Sequence, residues 1–137
     1  MKNMFKYFAP PFIWAFVIFL FSSFPTGSAT QIVWTDFVIK KTAHIVEYGI
    51  LTLLLYRAFT KGACIDKKRA AIYSISLAII YGISDEFHQS FTPGRMPKIW
   101  DVGFDTIGSV FSIYFVWNIL PKMPKRLRRL AEDWEIA

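Results

Sequence analysis

Long stretches without charge constrain this chain more than any other feature of its sequence. Residues 7–35, 48–56, 70–84 and 106–121 contain no Asp, Glu, Lys or Arg. A helix that spans a bilayer needs roughly 20 mostly apolar residues, and about 17 are tolerated. In a chain of 137 residues, four such blocks leave little sequence for a soluble domain. The sequence therefore predicts an all-α fold, an integral membrane bundle of four transmembrane helices.

The apolar blocks and the breaks between them predict the helix bounds. We expect one membrane domain over residues 1–137, with helices at about 8–24, 37–57, 69–89 and 101–120 and a basic tail at 121–137. Pro10 and Pro11 fit the first turn of the first helix, where a missing N–H is harmless. In the tail, Leu127, Leu130 and Trp134 recur at helical spacing. Residues 125–134 are therefore either a helix lying flat on the inner leaflet or a plain solvated tail.

The net charge of +6 is distributed in a pattern that indicates membrane topology. Basic residues precede the first apolar block, separate the second from the third at 57–69, and follow the fourth. Basic loops on alternate sides of apolar helices are the positive-inside pattern, which argues against a nucleic-acid partner. We expect a multi-pass protein of the cell membrane, with both termini and the 57–69 loop cytoplasmic. Residues 26–29 also fit a signal-peptide cleavage site, because small residues there follow an apolar core.

The most polar segment, residues 84–95, lies between two apolar blocks. Asp85, His88 and Gln89 share one face of the third helix by their spacing of three and four residues. Pro93 followed by Gly94 is a turn signal, because Pro presets one turn dihedral and Gly accepts the next. The turn would hold Arg95 just outside the membrane.

The second helix carries ionisable residues at membrane depth. Glu47 lies ten residues before Arg57, or about 15 Å of helix, which places it near the bilayer midplane. His44 shares its face. Ionisable residues at this depth are expensive, face the bundle interior and are functional candidates by default. We interpret Lys40 and Lys41 instead as anchors that snorkel to the interface.

The fourth helix begins with two acids on one face. The free N–H groups of a helix N-terminus account for Asp101, whereas Asp105 lies a turn deeper, where lipid exposure is costly. Gly82 on the third helix and Gly108 on the fourth would let neighbouring helices approach closely.

An antiparallel bundle with short connectors brings these polar helix ends together. The sequence therefore predicts a polar pocket that opens to the outer leaflet or the external face. The predicted binding residues are His44, Glu47, Glu86, His88, Gln89, Arg95, Asp101 and Asp105. The candidate acid–base residues are Glu47, Asp85 and Glu86, and the candidate metal ligands are His44, His88 and Asp105, with no cofactor assigned.

Two segments resemble the signature of the VanZ-like membrane protein family. They are residues 41–48 (Lys-Thr-Ala-His-Ile-Val-Glu-Tyr) and residues 85–95 (Asp-Glu-Phe-His-Gln-Ser-Phe-Thr-Pro-Gly-Arg), the latter followed by Asp101 and Gly108. Asp105 stands where the family often has Asn. The family takes its name from a protein that gives low-level resistance to the glycopeptide teicoplanin. The resemblance implies a setting in the bacterial cell envelope, with the chain in the bacterial plasma membrane, and an effect on teicoplanin susceptibility.

Three functions are compatible with such a pocket. The first is to bind or modify an outer-leaflet anionic lipid or a lipid-linked wall precursor, since the Arg95 fork suits phosphate or carboxylate. The second is an acid–base or metal-dependent hydrolase or transferase that acts on a phospholipid or polyprenyl phosphate. The third is structural, with Lys41–Glu47 and Arg95–Asp101 pairs fixing the packing of the helices. A homo-oligomer is also possible, because four helices are too few for a large substrate pathway and a transport function would require a dimer.

Overall fold

A computed structural model describes residues 2–24, 33–93, Arg95 and 98–136. Within these ranges the chain forms α-helices and no strand, which confirms the all-α prediction. The five helices are α1 (Lys2–Ser23), α2 (Val33–Arg57), α3 (Lys67–Gln89), α4 (Ile99–Tyr114) and α5 (Lys125–Asp133). A π-helical turn at Ala58–Gly62 follows α2, and α4 is extended by a π-helical turn at Phe115–Ile119 and a 3-10 turn at Leu120–Lys122.

The predicted start of α1 is wrong. The helix begins at Lys2, so Pro10 and Pro11 lie inside it rather than in its first turn. Each proline removes a backbone hydrogen bond. The segment before them is nevertheless held by tertiary contacts, because Tyr7 is buried and its hydroxyl donates to Glu135 at 3.1 Å.

The start of α3 is fixed by a local capping residue. The Asp66 carboxylate accepts hydrogen bonds from two backbone N–H groups of the first turn.

The bundle exposes apolar side chains and buries polar ones. On α1 alone, Phe5, Phe12 and Phe16 are each more than half exposed. The buried polar side chains are Ser22, Thr52, Ser74, Asp85, Glu86, Gln89, Thr92, Asp101, Asp105, Ser109 and Ser112. Large apolar surfaces are rare on soluble monomers and mark contact with a membrane or another protein.

Three of the described helical stretches are long and apolar enough to cross a membrane: Met4–Ser23, Lys67–Gln89 and Ile99–Lys122. The helix α2 is not among them. It carries Asp36, Lys40, Lys41 and Glu47, which lower its hydropathy below that of a typical span. Charge on α2 therefore separates it from the other three long helices.

Close packing of α2 against α4 depends on Gly108. A Cβ atom at this position would lie 2.2 Å from the Ile45 carbonyl oxygen, so only glycine fits. On α3, a Cβ at Gly82 would lie 2.9 Å from Oδ2 of Asp105. The prediction that these two glycines permit close approach is confirmed. Their contacts bring the polar faces of α2, α3 and α4 against one another.

The two ends of the bundle differ in character. At one end, Tyr56 of α2 packs with Ala70, Ile113 and Leu120 in an apolar core. The chain after α5 folds back onto this end, where Glu135 accepts hydrogen bonds from Lys6, Tyr7 and Arg57. The opposite end, where α1 and α3 finish and α4 begins, holds most of the buried carboxylates.

Two predicted features lie outside the described residues. The cleavage-site reading falls at 26–29, and the predicted turn after Pro93 depends on Gly94. The predicted helix at 125–134 is confirmed as α5 (Lys125–Asp133), and Leu127 and Leu130 on it, like Trp134 directly after it, are exposed.

Candidate functional site

A cavity of about 550 Å³ lies at the carboxylate-rich end of the bundle, and we call it the polar cavity. Four of its lining residues are basic: Lys40, Lys41, Arg95 and Lys98. The acidic lining residues are Glu47 and Asp101, and the neutral polar ones are Ser22, His44 and Gln89. Side chains from α1, α2, α3 and α4 all contribute. The structure thus brings five of the predicted binding residues to the lining of one cavity: His44, Glu47, Gln89, Arg95 and Asp101.

His44 is held between the two acids of α4. Its Nδ1 lies 2.9 Å from Oδ1 of Asp105, and its Nε2 lies 3.9 Å from Oδ2 of Asp101. The Asp105 side chain is only 2% exposed and the His44 side chain 13%. Because an ionised carboxylate only accepts, Nδ1 carries the proton in this pair, and the lone pair of the neutral ring is on Nε2.

Asp101 also forms an ion pair with Lys41. Nζ of Lys41 contacts Oδ1 of Asp101, and both side chains are about nine-tenths buried. The interpretation of Lys41 as a snorkelling anchor is therefore wrong: the helix rotation that buries His44 also turns Lys41, three residues earlier, toward α4. Lys40 differs, since it is more exposed and pairs with Asp36 at 2.8 Å along the same helix.

Glu86 reaches the same group of side chains from α3. Its Oε2 accepts from the backbone N–H of Lys98 at 2.8 Å. Its Oε1 is buried and has no hydrogen-bond partner among the described residues. One ligand atom each from His44, Glu86 and Asp101 lie within 4.8 Å of one another, so these three residues could hold a metal ion.

Asp85 and Gln89 form a separate hydrogen-bonded network with α1. Oδ2 of Asp85 accepts from Ser22 Oγ and from Gln89 Nε2, both at 2.8 Å. Gln89 Oε1 accepts from Nη1 of Arg95 at 3.2 Å. The Arg95 guanidinium also donates to the carbonyl oxygens of Phe21 and Phe24. Arg95 therefore anchors the end of α1 while it lines the polar cavity.

His88 faces α1 rather than the polar cavity. Its Nε2 lies 3.0 Å from Ser23 Oγ, and its ring stacks at 4.4 Å from that of Phe19. Of the three predicted metal ligands, only His44 belongs to the group that also contains Glu86 and Asp101. Asp105 lies behind His44 and holds its ring.

The predicted pairs of the structural hypothesis are replaced by others. Lys41 pairs with Asp101 instead of Glu47, and Arg95 contacts Gln89 and α1 carbonyls instead of Asp101. Sequence analysis also missed Ser22, which lies on α1 at the carboxylate-rich end and donates to Asp85. No spacing pattern marks this serine. For Lys41, the signal was its spacing of three residues from His44, which places both on one face.

Comparison with known proteins identifies a family. The family model described as VanZ/LLP1 matches residues 7–120, which includes every residue of the polar cavity. No curated protein and no solved structure matches the chain.

Proposed function

Because the chain belongs to the VanZ/LLP1 family, we propose that it binds an anionic lipid headgroup or lipid-linked envelope component in its polar cavity. Family membership and three apolar helices indicate a membrane protein. We propose further that it resides in the bacterial plasma membrane, with the polar cavity open to the outer leaflet. Occupancy of the cavity would then lower the susceptibility of the cell to glycopeptides such as teicoplanin.

The proposed topology has four spans: the three apolar helical stretches and, in addition, α2. The charged first half of α2 turns His44 and Lys41 toward α4, so its polar groups face protein rather than lipid. The basic residues around Arg57, Lys61 and Lys122 lie toward the end of the bundle that the C-terminal tail contacts. The positive-inside rule would put that end, and both termini, in the cytoplasm.

The observation that carries the proposal is the charge of the polar cavity. Four basic side chains and two acidic ones line it, together with two exposed aromatic side chains, Phe21 near the end of α1 and Phe24 just after it. A phosphate headgroup would find ammonium and guanidinium donors there. Acyl chains could remain among the exposed apolar side chains outside the bundle.

Binding can be measured on the purified chain reconstituted in nanodiscs. We expect native mass spectrometry to show retention of phosphatidylglycerol or undecaprenyl phosphate over phosphatidylcholine. The double variant Lys40→Gln/Lys98→Gln should lose that preference, because it removes two cavity charges without touching the buried pair of Lys41. The control is Lys61→Gln/Lys122→Gln, which removes two charges at the opposite end. Equal lipid retention by both double variants would contradict the proposal.

The cellular effect has its own test. A Gram-positive host that expresses the native chain should tolerate more teicoplanin than one carrying an empty vector. The Lys40→Gln/Lys98→Gln chain, at a matched level in the membrane, should not give this protection. If the double variant protects as well as the native chain, the resistance effect does not depend on the charge of the polar cavity.

The contact between His44 and Asp105 favours a second candidate function. An imidazole oriented by a buried carboxylate is the arrangement that general bases use. A hydrolase or transferase acting on a polyprenyl phosphate or phospholipid would need this pair beside a phosphate-binding cavity. The test is release of inorganic phosphate from undecaprenyl diphosphate, with activity in the native chain and none in His44→Gln. A phosphate release rate no higher than in protein-free vesicles would exclude this substrate.

A further inference from the structure

One imidazole and two carboxylates from three different helices converge beside the polar cavity, which His44 and Asp101 line. His44 comes from the middle of α2, Glu86 from the last turn of α3, and Asp101 from the first turn of α4. Their ligand atoms lie within 4.8 Å of one another. A nitrogen and two oxygens bound to one metal at roughly 2.0–2.2 Å are about 3–4 Å apart, so small side-chain movements suffice.

Glu86 has a buried carboxylate oxygen that accepts no hydrogen bond from the described residues. The residue is 8% exposed, and its Oε1 has no hydrogen-bond partner among the described residues. A buried carboxylate oxygen without a donor carries a large desolvation penalty. A cation between Glu86, His44 and Asp101 would remove this penalty.

His44 is oriented as metal-ligating histidines are. With Asp105 ionised, Nδ1 donates to it, which leaves the lone pair on Nε2, and Nε2 lies 3.9 Å from Oδ2 of Asp101. Two acceptors then face each other with no proton between them. A carboxylate that holds the far nitrogen of a ligating imidazole fixes its tautomer and raises its basicity.

The charge around the three ligands also suits a divalent ion. Asp101 uses Oδ1 to pair with Lys41, which leaves Oδ2 on the side of His44. When Glu86, Asp101 and Asp105 are ionised, three carboxylates against one ammonium leave two negative charges. A divalent cation neutralises them.

We propose that His44, Glu86 and Asp101 form a binding site for a divalent transition-metal ion such as Zn²⁺ or Mn²⁺. Imidazole with carboxylate ligands suits these ions. Three protein ligands leave a coordination position for water or a phosphate oxygen on the side of the polar cavity. The inference goes beyond lipid binding and does not depend on it, because the ligands are all supplied by the protein.

The test uses the full chain, purified in detergent, stripped with EDTA and equilibrated with Zn²⁺ or Mn²⁺ alone. We expect close to one metal ion per chain. His44→Gln and Glu86→Gln should each bind at least tenfold more weakly. The matched controls are His88→Gln and Glu132→Gln, which remove the other histidine and an exposed acid, and both should bind as the native chain does. Circular dichroism and size exclusion verify that each variant is folded.

A second readout needs no variant. Co²⁺ bound by one nitrogen and two oxygens gives visible d–d absorption bands, and Zn²⁺ should displace it and abolish them. Absence of these bands, or less than a tenth of a metal ion per native chain, would overturn the proposal. Equal weakening by His88→Gln and His44→Gln would overturn it as well, since it would mark nonspecific binding to histidine.

Discussion

At the residue scale, two neighbouring lysines of α2 form ion pairs that differ in burial. Lys41 and Asp101 form a buried pair, whereas Lys40 is more exposed in its pair with Asp36. Removing one partner of a buried pair leaves an uncompensated charge, which costs about 3–5 kcal/mol, whereas exposed pairs are worth about 0–1 kcal/mol. We expect Lys41→Ala to lower the free energy of unfolding in detergent by about 3–5 kcal/mol. Lys40→Ala should lower it by at most about 1 kcal/mol. Equal effects would mean that Asp101 is not buried in the native protein.

Asp105 permits a second prediction at this scale, which depends on the proposed metal site. Asp105→Asn keeps the shape of the side chain but replaces the carboxylate that holds His44. Loss of such a supporting group typically weakens metal affinity about 10–100-fold. A Zn²⁺ titration should show this loss, while the variant keeps native helix content. Unchanged affinity would indicate that Asp105 does not orient the ring.

At the scale of the helix, α4 offers two glycines with opposite surroundings. A Cβ at Gly108 would lie 2.2 Å from the Ile45 carbonyl oxygen, whereas a Cβ at Gly103 meets nothing within 4 Å. Gly108→Ala should therefore force α2 and α4 apart and destabilise the fold by at least about 1–3 kcal/mol. Gly103→Ala should stabilise it by about 0.5–1 kcal/mol, because alanine is the better helix former. Thermal unfolding of the two purified variants provides the comparison.

At the scale of the whole molecule, Glu135 ties the C-terminal tail to both α1 and α2. Hydrogen bonds from Lys6 and then Arg57 lower the pKa of this carboxyl from its ordinary 4.5 to about 2. A lowered pKa means that the contact stabilises the folded tail fully above about pH 4.5. This stabilisation is lost as the pH falls through that value toward 2. We expect residues 125–136 to exchange amide hydrogens faster at pH 3 than at pH 5, after correction for the intrinsic pH dependence.

The matched variants for this pH response are Glu135→Gln and Glu132→Gln. The first removes the carboxylate and should make the tail exchange fast at both pH values. The second changes an exposed acid of α5, three residues earlier in the chain, and should leave the response intact. If the tail of Glu135→Gln still exchanged faster at pH 3 than at pH 5, the pH response would belong to a group other than Glu135.

Several features of the candidate site followed from sequence alone. Charge-free blocks predicted the all-α fold, and the resemblance in residues 41–48 and 85–95 predicted the family that the match over 7–120 confirms. Helical spacing placed His44 with Glu47, and both line the polar cavity. The start of α1 was mispredicted because Tyr7 is held by Glu135, a contact 128 residues away in sequence. The sequence around Pro10 does not indicate this long-range contact.

The sequence by itself determined that apolar helices would expose their side chains and that the ionisable residues at membrane depth would gather at one end. These follow from where charge is absent and from the spacing that puts residues on a common face. Only the tertiary structure decided the partners: Lys41 with Asp101, Asp105 behind His44, and His88 against α1. The physical reason is that spacing fixes a shared face, whereas the rotation and closeness of neighbouring helices fix which atoms meet. At Gly108 that closeness is set by one missing side chain.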